Sequence, residues 1–139
     1  MDRARQITNL MMQQDLFSQW LGIEVLSTGE GSCRLRMNIR PEMCNGFGIA
    51  HGGITYSLAD SALAFASNSR GRHALSIETS ISHLKPLKAG ETLEAFAKEL
   101  HLTYRLGLYE VVITGNTGKQ VALFKGTVYR KEDEWIADK

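Results

Sequence analysis

A chain of 139 residues with no visible repeat or linker is long enough for one domain with a real core, 1–139, and too short for two. Its 43% hydrophobic and 22% charged residues are ordinary for a folded globular protein, so disorder is not expected. A net charge of +1 without a basic stripe argues against nucleic acid as the main partner. No apolar run reaches about 18 residues and the first turns are too polar for a signal peptide, so we expect no membrane association and a cytoplasmic location, with Cys33 and Cys44 as reduced thiols.

In chain order, segment 1–20 comes first. Asp2 to Trp20 reads as an amphipathic helix with Ile7, Leu10, Met11, Phe17 and Trp20 as packing positions, ended by Gly22. Ile23 and Val25 then begin a strand that turns at Gly29-Glu30-Gly31. Its partner alternates cleanly, with Cys33, Leu35, Met37 and Ile39 inward and Arg34, Arg36, Asn38 and Arg40 outward, until Pro41. A glycine-rich loop follows, with Gly46, Gly48, Gly52 and Gly53 and with His51 beside the last pair.

From about Gly53 to Ser69 the chain has no internal glycine or proline and is rich in Ala and Leu, which predicts one helix of four to five turns. Apolar residues lie nearly all round it, so it belongs in the core. Arg70-Gly71-Arg72 is a turn. The strand Ala74 to Lys85 puts Leu75, Ile77, Thr79 and Ile81 on one face. Thr92 to Leu102 forms the next, with Leu100 and Leu102 out of phase and a bulge near Lys98. Tyr104 to Thr114 and Gln120 to Arg130 make a hairpin around Gly115-Asn116-Thr117-Gly118, and the charged tail 131–139 is expected to fray, Trp135 aside.

A helix, two strands, a buried helix and four more strands joined by short turns imply an α+β fold. One antiparallel sheet of about six strands wraps a long central helix, with an extra N-terminal helix. That is the hot-dog architecture.

Asp60 is the only charged side chain of the central helix. A carboxylate among Leu, Ala and Phe is costly unless hydrogen bonds, a solvent channel or a reaction uses it. At the other end, the first amides of the helix lack intrahelical partners, and Gly52-Gly53 lets a ligand approach them, so Gly53 N–H is placed to bind a developing oxyanion. The plainer reading is that the pair only makes the turn. Gly53 and Asp60 are seven residues apart, about 10 Å along the axis, too far for one helix to aim both at one carbonyl and its attacking water. Two such helices, antiparallel about a twofold axis, would bring Asp60 of one beside Gly53 of the other. If the two residues act together, the spacing favours a homodimer with two shared sites.

Asn45-Gly46, His51-Gly52-Gly53, Ser57-Leu58-Ala59-Asp60, Asn68-Ser69 and Gly71 together resemble hot-dog acyl-CoA thioesterases of the phenylacetate-pathway (PaaI) type. Leu21-Gly22-Ile23, Leu84-Lys85-Pro86, Ala89-Gly90-Glu91-Thr92-Leu93 and Val121-Ala122-Leu123-Phe124-Lys125-Gly126 extend the likeness over nearly the whole chain. The resemblance implies hydrolysis of an acyl-CoA, with an aromatic, phenylacetyl-CoA-like acyl group as first choice. Asp60 would activate water or attack the thioester itself, Gly53 N–H would polarise the carbonyl, Asn45 would position the thioester or the water, and His51 would orient the loop. It also implies a tetramer built from two dimers, and no metal or redox cofactor, coenzyme A being part of the substrate.

Some positions depart from the pattern. Phe47, Gly48, Ile49 and Ala50 are largely apolar, Ser82 and His83 stand where relatives often carry Asp and an aromatic residue, and Ala64 lies one turn after Asp60 where some relatives place a hydroxyl. Ala64 and Gly52 are therefore candidate substrate contacts. Ser67 and Ser61 would face either a polar acyl ring or, more simply, solvent; Arg70, Arg72, Lys85 and Lys88 would meet CoA phosphates or only water. His51, His73, His83 and His101 sit on unrelated segments with no metal-ligand spacing. The competing functions are a hydratase or dehydratase on acyl thioesters, which needs an acid–base pair acting on the acyl α/β carbons, and a non-catalytic acyl-CoA sensor, which needs an effector region.

Overall fold

A computed structural model describes residues 2–137. The N-terminal segment is two helices, α1 (Arg3–Gln14) and α2 (Leu16–Leu21), where one was expected. Asp15 makes the break: with ψ near 80° it leaves the helical region, and its carboxylate accepts from Ser18 N to cap α2. Gly22, in the left-handed conformation with φ 75°, ends α2. Ile7 is fully buried and Met11 packs on the core, but Leu10, Phe17 and Trp20 are exposed. None of the three is a packing position in the single chain; the break turns Phe17 and Trp20 of α2 outward, and Leu10 lies on the outer side of α1.

The sheet contains β1 (Glu24–Gly29), β2 (Ser32–Asn38), β3 (Arg72–His83), β4 (Thr92–Leu102), β5 (Leu106–Thr114) and β6 (Gln120–Glu134). Their order is β1-β2-β4-β5-β6-β3, all antiparallel. The alternation in β2 is as expected, with Cys33, Leu35, Met37 and Ile39 at most 2% exposed. Bulges set the rest. Leu100 is the extra residue of β4, two positions past the expected site. In β3 the register slips between Ser76 and Glu78, so Leu75 and Ile77 point out of the single chain while Thr79 and Ile81 face the core. The expected single face of β3 is therefore split in two.

The central helix α3 (Gly52–Asn68) lies across the concave face, against β2, β3, β4, β5 and β6. Leu58, Ala59, Ala62, Leu63, Phe65 and Ala66 are all at most 1% exposed. Small residues let helix and sheet approach closely: a Cβ added at Gly126 of β6 would lie 2.6 Å from Leu63 Cδ2. Cys33 Sγ is 3.3 Å from the Ala62 carbonyl, and burial pushes its thiol up to about 12.

The tail is not frayed over its described part. β6 runs on to Glu134, paired with Arg72, and the Trp135 indole N–H donates to Asn68 Oδ1 at 2.7 Å. Asn68 Oδ1 also accepts from Ala74 N, and its Nδ2 donates to the carbonyls of Ala64 and Ala74. One amide thus ties the end of α3, the start of β3 and the tail together. Asp138 and Lys139, part of the tail expected to fray, lie outside the described residues.

Candidate active site

The loop before α3 is closed by Asn45. Its Oδ1 accepts from Phe47 N at 2.9 Å and Ile49 N at 3.1 Å, and its own backbone N–H donates to the Ile49 carbonyl at 2.8 Å. Gly48, with φ 76°, supplies the left-handed step the turn needs. Ala50 N donates to the Leu87 carbonyl and His51 N to the Met43 carbonyl, which pins the loop at both sides. Asn45 is thus first a loop clasp; its Nδ2 is the part left to face a substrate. Phe47 stands at the tip, 90% exposed.

His51 is the N-cap residue of α3, but its side chain makes no capping bond. Its ring is exposed, and the loop is oriented through its backbone. The amides of Gly52 and Gly53 follow, both exposed, at the positive end of a 17-residue helix. The two glycines have different reasons to be glycine. At Gly52 a Cβ would sit 2.9 Å from His83 Nε2, so the imidazole packs on the bare backbone. At Gly53 nothing lies within 4 Å of a Cβ, so that amide opens on free space.

Beside this helix end runs a cleft of about 370 Å³, lined by Ile49, Gly52, Thr55, His83, Lys85 and Leu87 among others. Two turns further along, Asp60 borders a smaller cavity of about 160 Å³ with Leu63, Ala64, Ser67, Ala74, Leu75, Ser76 and Val128. Asp60 is half-buried, and its carboxyl is raised above the ordinary range first by desolvation and second by the charge of Asp15. Gly53 does not line the cavity that Asp60 borders, as the helix spacing requires.

Ala64 and Ser67 border the Asp60 cavity, as expected of substrate contacts, yet Ser67 is only 2% exposed and its hydroxyl bonds the Ala64 carbonyl. Ser61 is buried as well, its hydroxyl 2.8 Å from that of Ser18 on α2. The solvent-facing reading fails for both serines, because α2 and β3 cover that side of α3. Arg70 is committed elsewhere: it holds Glu99 through two bonds, at 2.9 and 3.1 Å, and Glu30 at 3.1 Å. Arg72 donates to the carbonyls of Arg130 and Lys131 and lies over the Tyr104 ring. Both guanidinia thus already have partners within the chain. Lys85 keeps its place on the larger cleft.

Ser76 is the residue that the pattern concealed. It shares the cavity of Asp60 and offers a hydroxyl that can hold a water against the carboxylate. It is itself exposed and borders the cavity from the edge strand, just before the β3 bulge; a Ser in phase with the buried Ala74 was the available signal.

Comparison with known proteins identifies the family. The family described as "Thioesterase superfamily" matches residues 47–122. Acyl-coenzyme A thioesterase PaaI of Escherichia coli is 38% identical over 128 residues, 92% of this chain and 91% of that protein. The solved structure of the E. coli PaaI protein from the phenylacetic acid degradation operon superposes with a TM-score of 0.93 at 36% identity, covering 95% of this chain and 96% of that one. A Streptococcus mutans protein bound to acetyl CoA matches with a TM-score of 0.78 at 25% identity, over 81% and 90% of the two chains. The chain belongs to the thioesterase superfamily, as a hot-dog acyl-CoA thioesterase of the PaaI type.

Proposed function

We propose that the protein hydrolyses an aromatic, phenylacetyl-CoA-like thioester to the free acid and coenzyme A, at sites shared between two subunits. The observation that carries this is a half-buried carboxylate at Asp60, raised by burial and bordering one small cavity with Ser76, on the same helix whose Gly53 has open space beside it. A carboxylate raised by burial has the greater proton affinity that a general base needs. Asp60 takes a proton from water held with Ser76, and the water oxygen attacks the thioester carbonyl carbon. The oxyanion forms against Gly53 N–H of the other subunit. Collapse expels the CoA thiolate, which recovers the proton. The alternative in which Asp60 attacks directly predicts an anhydride, and single-turnover hydrolysis in ¹⁸O-water would then label the Asp60 carboxylate.

The exposed edge strand β3, with Leu75 and Ile77 outward, supports the dimer, since the free edge of a 12-residue strand is a template for another strand. Two such dimers would form the tetramer. The aromatic choice rests on the PaaI relatives and on size: an apolar cavity of about 150 Å³ accepts benzene. The cleft between the helix end and Lys85 supports passage of the pantetheine arm there. The free thiols of Cys33 and Cys44 suit a reducing cytoplasm.

The test is thiol release from a panel of aromatic and aliphatic acyl-CoAs, with Asp60→Asn in parallel. Release that falls about 100-fold or more in a folded variant supports the mechanism. No release from any ester, or equal rates for both proteins, overturns it; binding without turnover would point to a sensor.

A further inference from the structure

The cleft of about 370 Å³ at the start of α3 holds two polar side chains that no described residue bonds. Gly52 and Thr55, three residues apart on one face of α3, line it from the helix, and His83 lines it from the end of β3. Thr55 is 3% exposed, yet its hydroxyl has no hydrogen-bond partner among the described residues. Were that oxygen wholly buried it would stand as an unsatisfied group, and the described residues include none, so it meets the open space of the cleft. A hydroxyl so nearly buried and left unpaired is costly unless something occupies it. The His83 imidazole likewise lacks a hydrogen-bond partner among the described residues. Packing holds it: a Cβ at Gly52 would lie 2.9 Å from its Nε2 and 3.2 Å from its Cε1, so the ring rests on bare backbone one residue before Gly53. The loop wall is pinned as well, since Ala50 N donates to the Leu87 carbonyl at 2.8 Å and Ile49 forms a bridge with Lys88. Apart from Lys85, the remaining lining is apolar.

We propose that Thr55 and His83 are specificity-determining residues: together they bind the secondary amide two methylenes beyond the sulfur of a coenzyme A thioester, so that the enzyme selects an amide-bearing thiol. This rests on the reading of the protein as a thioesterase with Gly53 N–H at the carbonyl. An amide presents one N–H donor and one carbonyl acceptor. A threonine hydroxyl and an imidazole each donate and accept, so the pair can meet both halves. A phosphate would call for several cations, and Lys85 is the one lysine or arginine of the lining. A purely hydrocarbon arm would leave both polar groups unpaired. The arm of coenzyme A, in which methylenes alternate with amides, matches apolar walls that carry two polar points. Position agrees with chemistry. With the carbonyl at Gly53 N–H the sulfur lies one bond away, which brings the amide to the first turn of α3, where Gly52 and Thr55 face His83.

The test compares two phenylacetyl thioesters, one of N-acetylcysteamine and one of pentanethiol, in which methylenes replace the amide. Thr55→Val keeps the side-chain shape and removes the hydroxyl; His83→Phe keeps a ring on Gly52 and removes both nitrogens. Each should lower the ratio of kcat/KM for the amide ester over the alkyl ester about 5- to 10-fold relative to wild type. A ratio that stays at the wild-type value in either variant overturns the proposal, since a change in cleft shape alone lowers both esters together. Thr55→Val should also keep or raise the Tm, because its hydroxyl has no bond to lose; a Tm lower by several degrees would put a protein group on that hydroxyl and overturn the assignment. Should either variant not fold, Thr55→Ala or His83→Leu replaces it with the same expected and overturning results. Calorimetric binding of S-benzyl-coenzyme A, a thioether that cannot be hydrolysed, reads the contact without turnover and should weaken by a similar factor in each variant. That loss in a protein that cleaves no ester would count against hydrolysis and leave the subsite standing. Hydrolysis by wild type with thioether binding undiminished in the variants would overturn the subsite alone.

Discussion

Gly53→Ala separates the two reasons a helix can begin with glycine. Gly53 has helical, negative φ, and a Cβ there meets no atom within 4 Å. With no strain and no clash, the substitution acts on the unfolded chain and should stabilise by about 0.4–1 kcal/mol. For 139 residues, an unfolding entropy of about 2.1 cal/mol/K per residue makes 1 kcal/mol worth about 3 °C, so Tm should rise by about 1–4 °C. Activity should move the opposite way. The new methyl projects into the space by which a thioester carbonyl would reach Gly53 N–H, and a displacement of about 1 Å at a reacting centre costs on the order of 100-fold. Differential scanning calorimetry and a thiol-release assay on the same preparation read both. A variant that is more stable and fully active would refute Gly53 as the oxyanion donor. A variant whose Tm falls by several degrees would refute the open space itself, placing a partner's atoms where the single chain has none.

Three further outcomes follow from the same geometry. Asp60→Asn should raise stability at neutral pH: burial favours the neutral carboxyl, so the wild-type contribution is present in acid and lost as pH rises past the ordinary carboxylate range. Solvent screening keeps the gain small, and calorimetry at pH 4 and 7 should show it only at the higher value. Arg70→Ala should cost about 1–3 kcal/mol in denaturant unfolding, because it leaves Glu99, 18% exposed and also bound by Tyr109 at 3.0 Å, without its cation, while KM for acyl-CoA stays unchanged. Gly126→Ala should cost about 1–3 kcal/mol, since Leu63, 1% exposed, has nowhere to yield, and Leu63→Val in the same chain should recover part of that loss.

The parts of the fold legible in the sequence are those where one physical pressure acts on every residue of a segment. β2 alternates because one face meets the core and the other meets solvent, and α3 is apolar all round because the sheet covers most of it. The chain breaks that pattern where a local bond outweighs periodicity. Asp15 interrupts a continuous amphipathic run with a cap that only its partner Ser18 reveals. The β3 bulge reverses the phase after Ser76, which hid both that hydroxyl and the outward turn of Leu75 and Ile77. Pairing hid the rest: Arg70 reads as a free cation until Glu99, on a strand 29 positions away, is folded against it. The candidate site residues stood out in the sequence only as chemistry, a lone carboxylate and bare amides; their cavities and neighbours are properties of the folded chain.

The amide of Asn68 also sets how this corner of the protein ages. An asparagine followed by serine deamidates when the next backbone nitrogen attacks the side-chain carbonyl, and Ser69 N is here held by the Phe65 carbonyl at 3.1 Å while the Asn68 amide is bonded on both sides. The reaction is therefore confined to molecules in which this corner has opened. Each event is permanent, because the aspartate formed has no N–H to return to Ala64 and Ala74. In stored protein, aspartate formed at position 68, read by peptide mapping apart from that formed at Asn45-Gly46, should accordingly accumulate at a rate that reports local opening of the α3–β3 corner, and the fraction altered there should be the one that loosens first at the sheet edge carried by β3.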